Sequence, residues 1–352
     1  MSKKTILING DFLSRRLTGI ERYAYEITNR LDKLCSKDEI AIVIPSSIKE
    51  IPDYKNLKII RLNKKSKSNI RYQMLTLQFF LLFHRKYLIL EYGNCCLPLV
   101  PGIIFLHDIY CEFFPEDFIS KRDKFTRLYS RIQYRFIARL AKKIVTVSEY
   151  SKNEISSAFK IDPLKISVIY SSADHIRSIN ADESVFNDFP VLSQKSFFFS
   201  LGSLSKRKNL VWIIKYAKKN PNDLFAISGT SLSTVKVDEL DMEMPPNIIM
   251  LGYLDDSKIK ALMSKCKAFI LPSYYEGFGL TPLEALMCGA KIIVAKAASL
   301  PEIYGNTAHY IDPFDTNIDL DKLLQEPVEE PSELIKKYSY DISAKKVYSL
   351  FH

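Results

Sequence analysis

The chain has 352 residues, too long for one compact core and suited to two domains of roughly 150–200 residues each. Hydrophobic residues make up 47% and charged residues 26%, which excludes disorder, collagen-like repeats and a coiled coil. The net charge of +10 is uneven, with 31 Lys and Arg against 18 Asp and Glu in residues 1–180 and 19 against 22 in the remainder, so the first half is expected to meet a polyanion or an anionic surface.

Thr5–Asn9 reads as a buried strand, Gly10–Thr18 as a polar, basic loop, and Thr18-Gly19-Ile20-Glu21 as a capping box opening a helix with Ile20, Tyr23, Ala24 and Ile27 on one face. Further strand runs are Ile40–Ile44, Leu57–Leu62, Leu88–Tyr92, Ile103–Leu106 and Ile144–Val147. They alternate with segments of helical length, the pattern of a parallel sheet wound with helices. Residues 121–143 predict one amphipathic helix. Arg127, Arg131, Arg135, Arg139 and Lys143 recur every four residues without an intervening acid, and Phe125, Leu128, Tyr129, Ile132, Phe136 and Leu140 form the face expected to pack on the core. A charge run is commonly a solvated face, but five aligned cations repel one another, so residues 127–143 read either as such a face or as the partner of an anionic surface.

Residues 181–195 read as a linker. A second alternating pattern follows, with strands at Phe197–Leu201, Leu224–Ser228, Asn247–Leu251, Ala268–Leu271 and Lys291–Ala295, and residues 332–352 read as a terminal helix. The domains expected are 1–180 and 196–331. Six Cys, at 35, 95, 96, 111, 266 and 288, show no C-x-x-C spacing and suggest buried thiols in a reduced cytoplasmic protein. Lys3 and Lys4 run straight into Thr5–Leu7, and the apolar stretch Met74–Phe83 carries Gln78 and falls short of the ~20 residues of a membrane span. Neither secretion nor membrane insertion is expected.

The most informative stretch runs from Pro272 to Gly289, at the carboxyl end of the strand Ala268–Leu271, the edge where open α/β sheets bind ligands. Gly277 and Gly279 let the backbone approach a ligand. Thr281 as N-cap, Pro282 and Glu284 mark a helix start, and Gly289 a stop. The helix mouth offers free N–H groups to an anion. Read alone, Glu284 would only complete a capping box, and Glu276 would be a surface loop carboxylate. Together they suit sugar hydroxyls, with amides left for phosphate, as a nucleotide sugar requires. Lys206-Arg207-Lys208, after the strand Phe197–Leu201, can clamp a diphosphate. His107-Asp108 falls at the end of the strand Ile103–Leu106, while the other four His lack such a setting.

With these residues in view, the sequence resembles the retaining glycosyltransferases of family 4, built on the GT-B fold of two Rossmann-like α/β domains. The resemblance covers most of the chain in order, through Thr18-Gly-Ile-Glu-Arg-Tyr-Ala24, Leu106-His-Asp-Ile109, Phe114-Pro-Glu116, Val145–Lys152, Leu201-Gly-Ser, Arg207-Lys-Asn209, Leu251-Gly-Tyr253, Glu276-x7-Glu284, Ser299–Gly305, Tyr310–Pro313 and Tyr338-Ser-Tyr340. It implies a donor held mainly by the second domain in a cleft between the two. Arg207 and Lys208 would neutralise the diphosphate, Glu284 would bond the ribose, and Glu276 with Gly277, Phe278 and Gly279 would face the sugar. Leu280 and Thr281 N–H groups would meet phosphate, His107 would steady the developing oxocarbenium charge, and Gly19 would approach the phosphate from the first domain. It further implies no metal and no cofactor, and a last helix packed back on the first domain. Two departures stand out: Ser203 replaces an Arg common in the family, leaving the clamp to Arg207 and Lys208, and Ser171-Ser172 replaces Asn-Gly. His-Asp, Arg-Lys-Asn and Leu-Pro-Glu are similar to the mannosyltransferase-like branch of bacterial surface-polysaccharide synthesis, which implies GDP-mannose as donor, a glycan or lipid-linked oligosaccharide as acceptor, and a cytoplasmic or peripheral place at the inner face of the cell membrane. If the chain transfers sugar, the anionic surface met by residues 127–143 would be that membrane.

A UDP- or dTDP-sugar donor fits the same site. A metal-dependent transferase would want an Asp-x-Asp loop, and Asp319-Leu-Asp321 sits instead among helix-start signals. A glycoside hydrolase could use paired carboxylates but would not need the cationic clamp. A nucleic-acid-binding protein fits the basic half but shows no recognition motif. A dinucleotide dehydrogenase is excluded, since no G-x-G-x-x-G follows the first strand.

Overall fold

The computed structural model describes residues 4–63, 71–202, 205–229 and 244–351; Ser203 lies outside them. Two compact units divide the chain: Met1–Ser171 with Tyr340–His352, and Ser172–Ser339.

In the first unit β1 (Thr5–Asn9), β2 (Ile40–Pro45), β3 (Lys58–Leu62), β4 (Tyr87–Glu91), β5 (Ile103–Phe105), β6 (Lys143–Thr146) and β7 (Ile166–Val168) form one sheet in the order β3-β2-β1-β4-β5-β6-β7. Every pairing is parallel, with Ile8 between Ile42 and Leu90. The Ile-Ala-Ile-Val-Ile-Pro run of β2 is buried at every position, as a strand covered on both faces must be. α1 (Gly19–Leu34) buries Tyr23, Ala24, Ile27 and Leu31. Thr18 is its N-cap as expected, but the Thr18 hydroxyl bonds the Glu21 carboxylate, 3.3 Å away, instead of a backbone N–H.

α2 (Lys121–Leu140) begins at a Ser120/Asp123 capping box and stops three residues short of the expected span. Its core face is Gln133, Tyr134 and Ile137; Phe125, Leu128 and Ile132, expected inside, are exposed. The basic stripe is not free of acids either. Glu112, from the short turn Tyr110–Phe113, receives Arg131 at 2.9 Å and Arg135 at 3.2 Å. Arg127 Nε donates to the Cys111 carbonyl, and Lys143 opens β6 with its ammonium on the Leu164 carbonyl. A pattern read along one helix cannot see an acid supplied by a neighbouring turn. α3 (Glu149–Phe159) follows, capped by Ser148, whose hydroxyl accepts from the Ser151 N–H.

In the second unit β8 (Phe197–Leu201), β9 (Leu224–Ser228), β10 (Ile248–Gly252), β11 (Ala268–Leu271), β12 (Ile292–Ala295) and β13 (His309–Ile311) form another all-parallel sheet, in the order β10-β9-β8-β11-β12-β13. α4 (Leu210–Lys219) seals one face with Trp212 stacked on Tyr216 and the indole N–H given to the Asp312 and Asp315 carbonyls. α5 (Asp256–Lys265) follows β10, and α6 (Leu280–Met287) follows β11. Residues 181–195, expected as a linker, contain the short helices Val185–Asp188 and Val191–Gln194, with Val185 and Leu192 buried in this unit. Among the described residues the six cysteines form no disulfide, and no helix is long and apolar enough to cross a membrane.

The expected single helix over 332–352 is broken at Tyr338–Ser339. Ser332–Lys337 stays with the second unit, while α7 (Tyr340–Ser349) packs on α1 in the first, through Arg30–Asp341 at 2.6 Å and the rings of Tyr23 and Tyr340.

In each sheet the strand order reverses once, between β1 and β4 and between β8 and β11. The crevice outside the carboxyl ends at such a point is where doubly wound folds bind ligands. In the first unit that point is bridged: Asn9 Nδ2 donates to Glu91 Oε2 at 2.6 Å, and the Gly93 N–H to Glu91 Oε1 at 3.0 Å. Burial raises the Glu91 pKa to about 7 against the lowering effect of the Asn9 bond. The folded state therefore holds this proton more tightly than the unfolded chain between pH 4.5 and about 7. The Glu91 contribution is then most favourable below pH 4.5 and declines by about 3 kcal/mol as pH rises through that window. Chemical denaturation from pH 4.5 to 8 should show this decline in the wild type and a flatter profile in Glu91→Gln; identical profiles would contradict it.

Candidate active site

The second unit's switch point gathers the residues that the sequence singled out after β8 and β11. The turn Lys206–Lys208 follows β8 and ends at Asn209 in the left-handed region, φ 58°. It is tied to the loop after β11 by three bonds: Ser273 Oγ and the Tyr274 N–H both donate to the Arg207 carbonyl, and Asn209 Nδ2 donates to the Pro272 carbonyl. Lys208 runs past Gly202, where a Cβ would stand 3.5 Å from the Lys208 stem.

These ties bring Lys208 Nζ to 2.7 Å from Glu276 Oε1 and Arg207 to 3.8 Å from Oε2. Glu276 is 5% exposed, so it is not the surface carboxylate that its loop position suggests in isolation. Burial alone would raise its pKa; the charges of Lys208 and Arg207, with hydrogen bonds from Lys208 and Ser273, outweigh burial and hold it below the ordinary carboxylate value. An ionised carboxylate only accepts hydrogen bonds, so its natural partners beyond the two cations are hydroxyl groups.

From Glu276 the chain turns through Gly277, Phe278 and Gly279 into α6. Ser299 Oγ donates to the Glu276 carbonyl at 2.9 Å, the Tyr304 hydroxyl donates to the Gly279 carbonyl, and Phe278 packs edge-on against Tyr338 at 5.4 Å. Gly279 has φ 78°, and a Cβ there would run into Leu300. It is also the N-cap of α6. The expected N-cap Thr281 is therefore the second residue of the helix, because the left-handed glycine places the N-cap two residues early. Thr281 Oγ1 is buried without a hydrogen-bond partner among the described residues. The first turn of α6, at Leu280 and Thr281, carries the helix's positive pole beside the cationic turn.

With the helix displaced, Glu284 is beyond the reach of any capping box. Its Oε1 lies 3.1 Å from Nε2 of His175, a buried residue in the turn Asp174–Ser178. His175 is the partner that sequence reasoning missed: no spacing or neighbour in the chain connects it to Glu284. Asp319, by contrast, accepts from the Asp321 and Lys322 N–H groups and caps the short helix Leu320–Leu323, while Asp321 pairs with Lys267. The Asp-x-Asp sequence thus serves capping, as its setting indicated.

Two expected site residues belong to the first unit. His107, past the end of β5, is buried with Nε2 3.0 Å from the Tyr92 carbonyl and its main-chain N–H on Asn94 Oδ1. Burial lowers its pKa against the effect of the Tyr92 bond, so the ring is neutral near pH 7 and donates from Nε2. Tyr23 of α1 meets it edge-on at 5.6 Å. Gly19, the first residue of α1, has φ 31° and open space where a Cβ would stand.

Two parallel, doubly wound sheets with a cation-and-carboxylate site at a switch point define the class: this is the GT-B fold of glycosyltransferases. Residues 17–177 match the model for Glycosyltransferase Family 4 and residues 182–340 that for Glycosyl transferases group 1. The chain belongs to the glycosyltransferases that join these two domains. It is 28% identical over 216 residues to O-antigen chain mannosyltransferase RfbU of Salmonella typhimurium, a match covering 60% of this chain and 57% of that one. To O-antigen chain mannosyltransferase B of Escherichia coli it is 26% identical over 330 residues, covering 86% of this chain and 84% of the relative. The chain thus spans little more than half of the first relative's length and most of the second's. Among solved structures, Anabaena Alr3699/HepE in complex with UDP and glucose superposes with a TM-score of 0.71 at 18% identity, covering 99% of both chains.

The buried charge cluster carries a stability prediction. Lys208→Ala leaves Glu276 with Arg207 alone and should destabilise the second unit by on the order of 3 kcal/mol at pH 7. Lys208→Ala/Glu276→Gln should regain most of that loss in the same denaturation measurement. Because Glu276 titrates below its unfolded value, the wild-type stabilisation is complete above pH 4.5 and lost as pH falls further.

Proposed function

We propose that the chain transfers a hexose, mannose from GDP-mannose in the first instance, with retention and without a metal ion, onto a glycan or lipid-linked oligosaccharide. The observation that carries this reading is the buried Glu276 carboxylate set between Lys208 and Arg207, beside the α6 N-terminus. A nucleoside diphosphate leaving group accumulates negative charge as the glycosidic bond breaks. Two fixed cations and a helix pole can meet that charge with little reorganisation. Glu276, ionised and acceptor-only, would take hydroxyls of the transferred sugar, with the Gly277–Gly279 backbone and Phe278 alongside. Leu280 and Thr281 N–H groups would bond phosphate, and Glu284 the ribose. His107, neutral and fixed, would offer dipoles to the oxocarbenium-like sugar, and Gly19 a backbone approach to phosphate.

The two O-antigen relatives, both described as mannosyltransferases, support mannose as the sugar. The Anabaena structure with UDP and glucose supports a UDP-sugar as the second reading. A thermal-shift panel of GDP, UDP and dTDP, then their sugars, separates the two, and no shift with any of them would overturn both. Given a donor, Lys208→Ala should lose ~1.5–3 kcal/mol in kcat/KM. Glu276→Gln should lose turnover while remaining folded; unchanged turnover would reduce Glu276 to a structural carboxylate.

An anionic membrane surface remains the proposed docking partner of residues 127–143, on a different footing. Arg131 and Arg135 share Glu112, but Phe125, Leu128 and Ile132 are exposed on α2, with Lys121, Arg122, Lys124 and Arg139 also exposed along it. Exposed apolar residues beside cations suit the headgroup boundary of an anionic leaflet. Co-sedimentation at low salt should favour anionic over neutral liposomes, and Phe125→Ser/Leu128→Ser should abolish the difference. Equal pelleting with both lipids would exclude docking of this kind.

A further inference from the structure

His175 occupies a position that packing alone does not explain. Its segment is pinned from two sides: Ser178 Oγ donates to the His175 carbonyl at 3.0 Å, and Lys260 of α5 donates to the carbonyls of Ile176 and Ile179 at 2.9 and 2.7 Å. The ring is buried, with Nε2 at 3.1 Å from Glu284 Oε1. Its other nitrogen, Nδ1, is also buried and has no hydrogen-bond partner among the described residues. A buried ring nitrogen without a partner is unfavourable, so a leucine or methionine would serve better if this side chain only filled space. The ring's use lies in its other edge. Glu284 itself has no capping duty, since α6 begins at Leu280 after Gly279.

We infer that His175 is the positioning residue that sets the Glu284 carboxylate for a nucleotide's ribose. Nε2–H donates to Oε1, because a carboxylate only accepts. That bond fixes the side-chain rotamer and leaves Oε2 to take the 2′- and 3′-hydroxyls of the ribose. The acceptor geometry is then set before the ligand arrives, by a residue from outside the family-pattern segment that carries Glu284. This inference rests on the donor reading above, in which Glu284 meets the ribose.

Isothermal titration of the intact chain with GDP and with 2′,3′-dideoxy-GDP tests it, with UDP and its dideoxy analogue as the second pair. The wild type should prefer the ribose form. His175→Leu should weaken binding of the ribose form about tenfold, the loss of one hydrogen bond to a charged group, and leave the dideoxy form unchanged. His175→Gln, whose amide N–H can take the place of Nε2–H, should restore the preference; a side chain that merely fills space would show no such rescue. If His175→Leu does not fold, His175→Asn, too short to reach Glu284, is read in the same way. A ribose preference kept at its wild-type ratio in the folded Leu or Asn variant overturns the inference and leaves the donor reading standing. A wild-type chain that binds neither GDP nor UDP overturns the donor reading, and this inference with it.

Discussion

The second unit is organised around a negative charge held away from water. Glu276 is buried and ionised only because Lys208 and Arg207 reach it from the turn after β8. That turn reaches it only because the side chains of Ser273 and Asn209 and the main-chain N–H of Tyr274 tie the two loops through main-chain carbonyls. A charge buried without its partners is among the more destabilising things a fold can contain. The position of the cations is therefore coupled to the stability of the unit, and the two loops cannot drift apart independently. The same coupling keeps two positive groups concentrated at the switch point, where a passing solvent-exposed lysine would spend its time elsewhere.

The turn that follows shows how a single backbone conformation propagates. Gly279, left-handed and hemmed in by Leu300, starts α6 two residues earlier than its hydroxyl and proline signals suggest. Thr281 then lies inside the first turn with a buried, unbonded hydroxyl, and Glu284 is carried round to His175. One residue's φ thus decides whether Glu284 closes a helix end or stands available for other chemistry.

Most of the architecture was legible because buried parallel strands are short, unbroken apolar runs that announce themselves. β7 and β13 leave no such mark, since three-residue edge strands such as His309–Ile311 are too short to show a pattern. Site residues that follow a strand were also legible, because position after a strand is a statement about the sheet's carboxyl edge. What the linear reading could not supply was partnership at a distance. Glu112 beneath Arg131 and Arg135, and His175 beside Glu284, come from turns with no pattern of their own. Periodicity places Phe125, Leu128 and Ile132 on the core, yet they are exposed, because it identifies an apolar face but not what covers it.

The first unit is discontinuous: Tyr340–His352 belong to it, and Tyr340 lies against Tyr23 while Asp341 holds Arg30. During synthesis, then, α1 leaves the ribosome well before the helix that packs on it. The amino-terminal sheet can assemble early, but the helix layer over α1 stays unfinished until the whole of the intervening unit has been translated, so closure of the first unit waits on synthesis of the second.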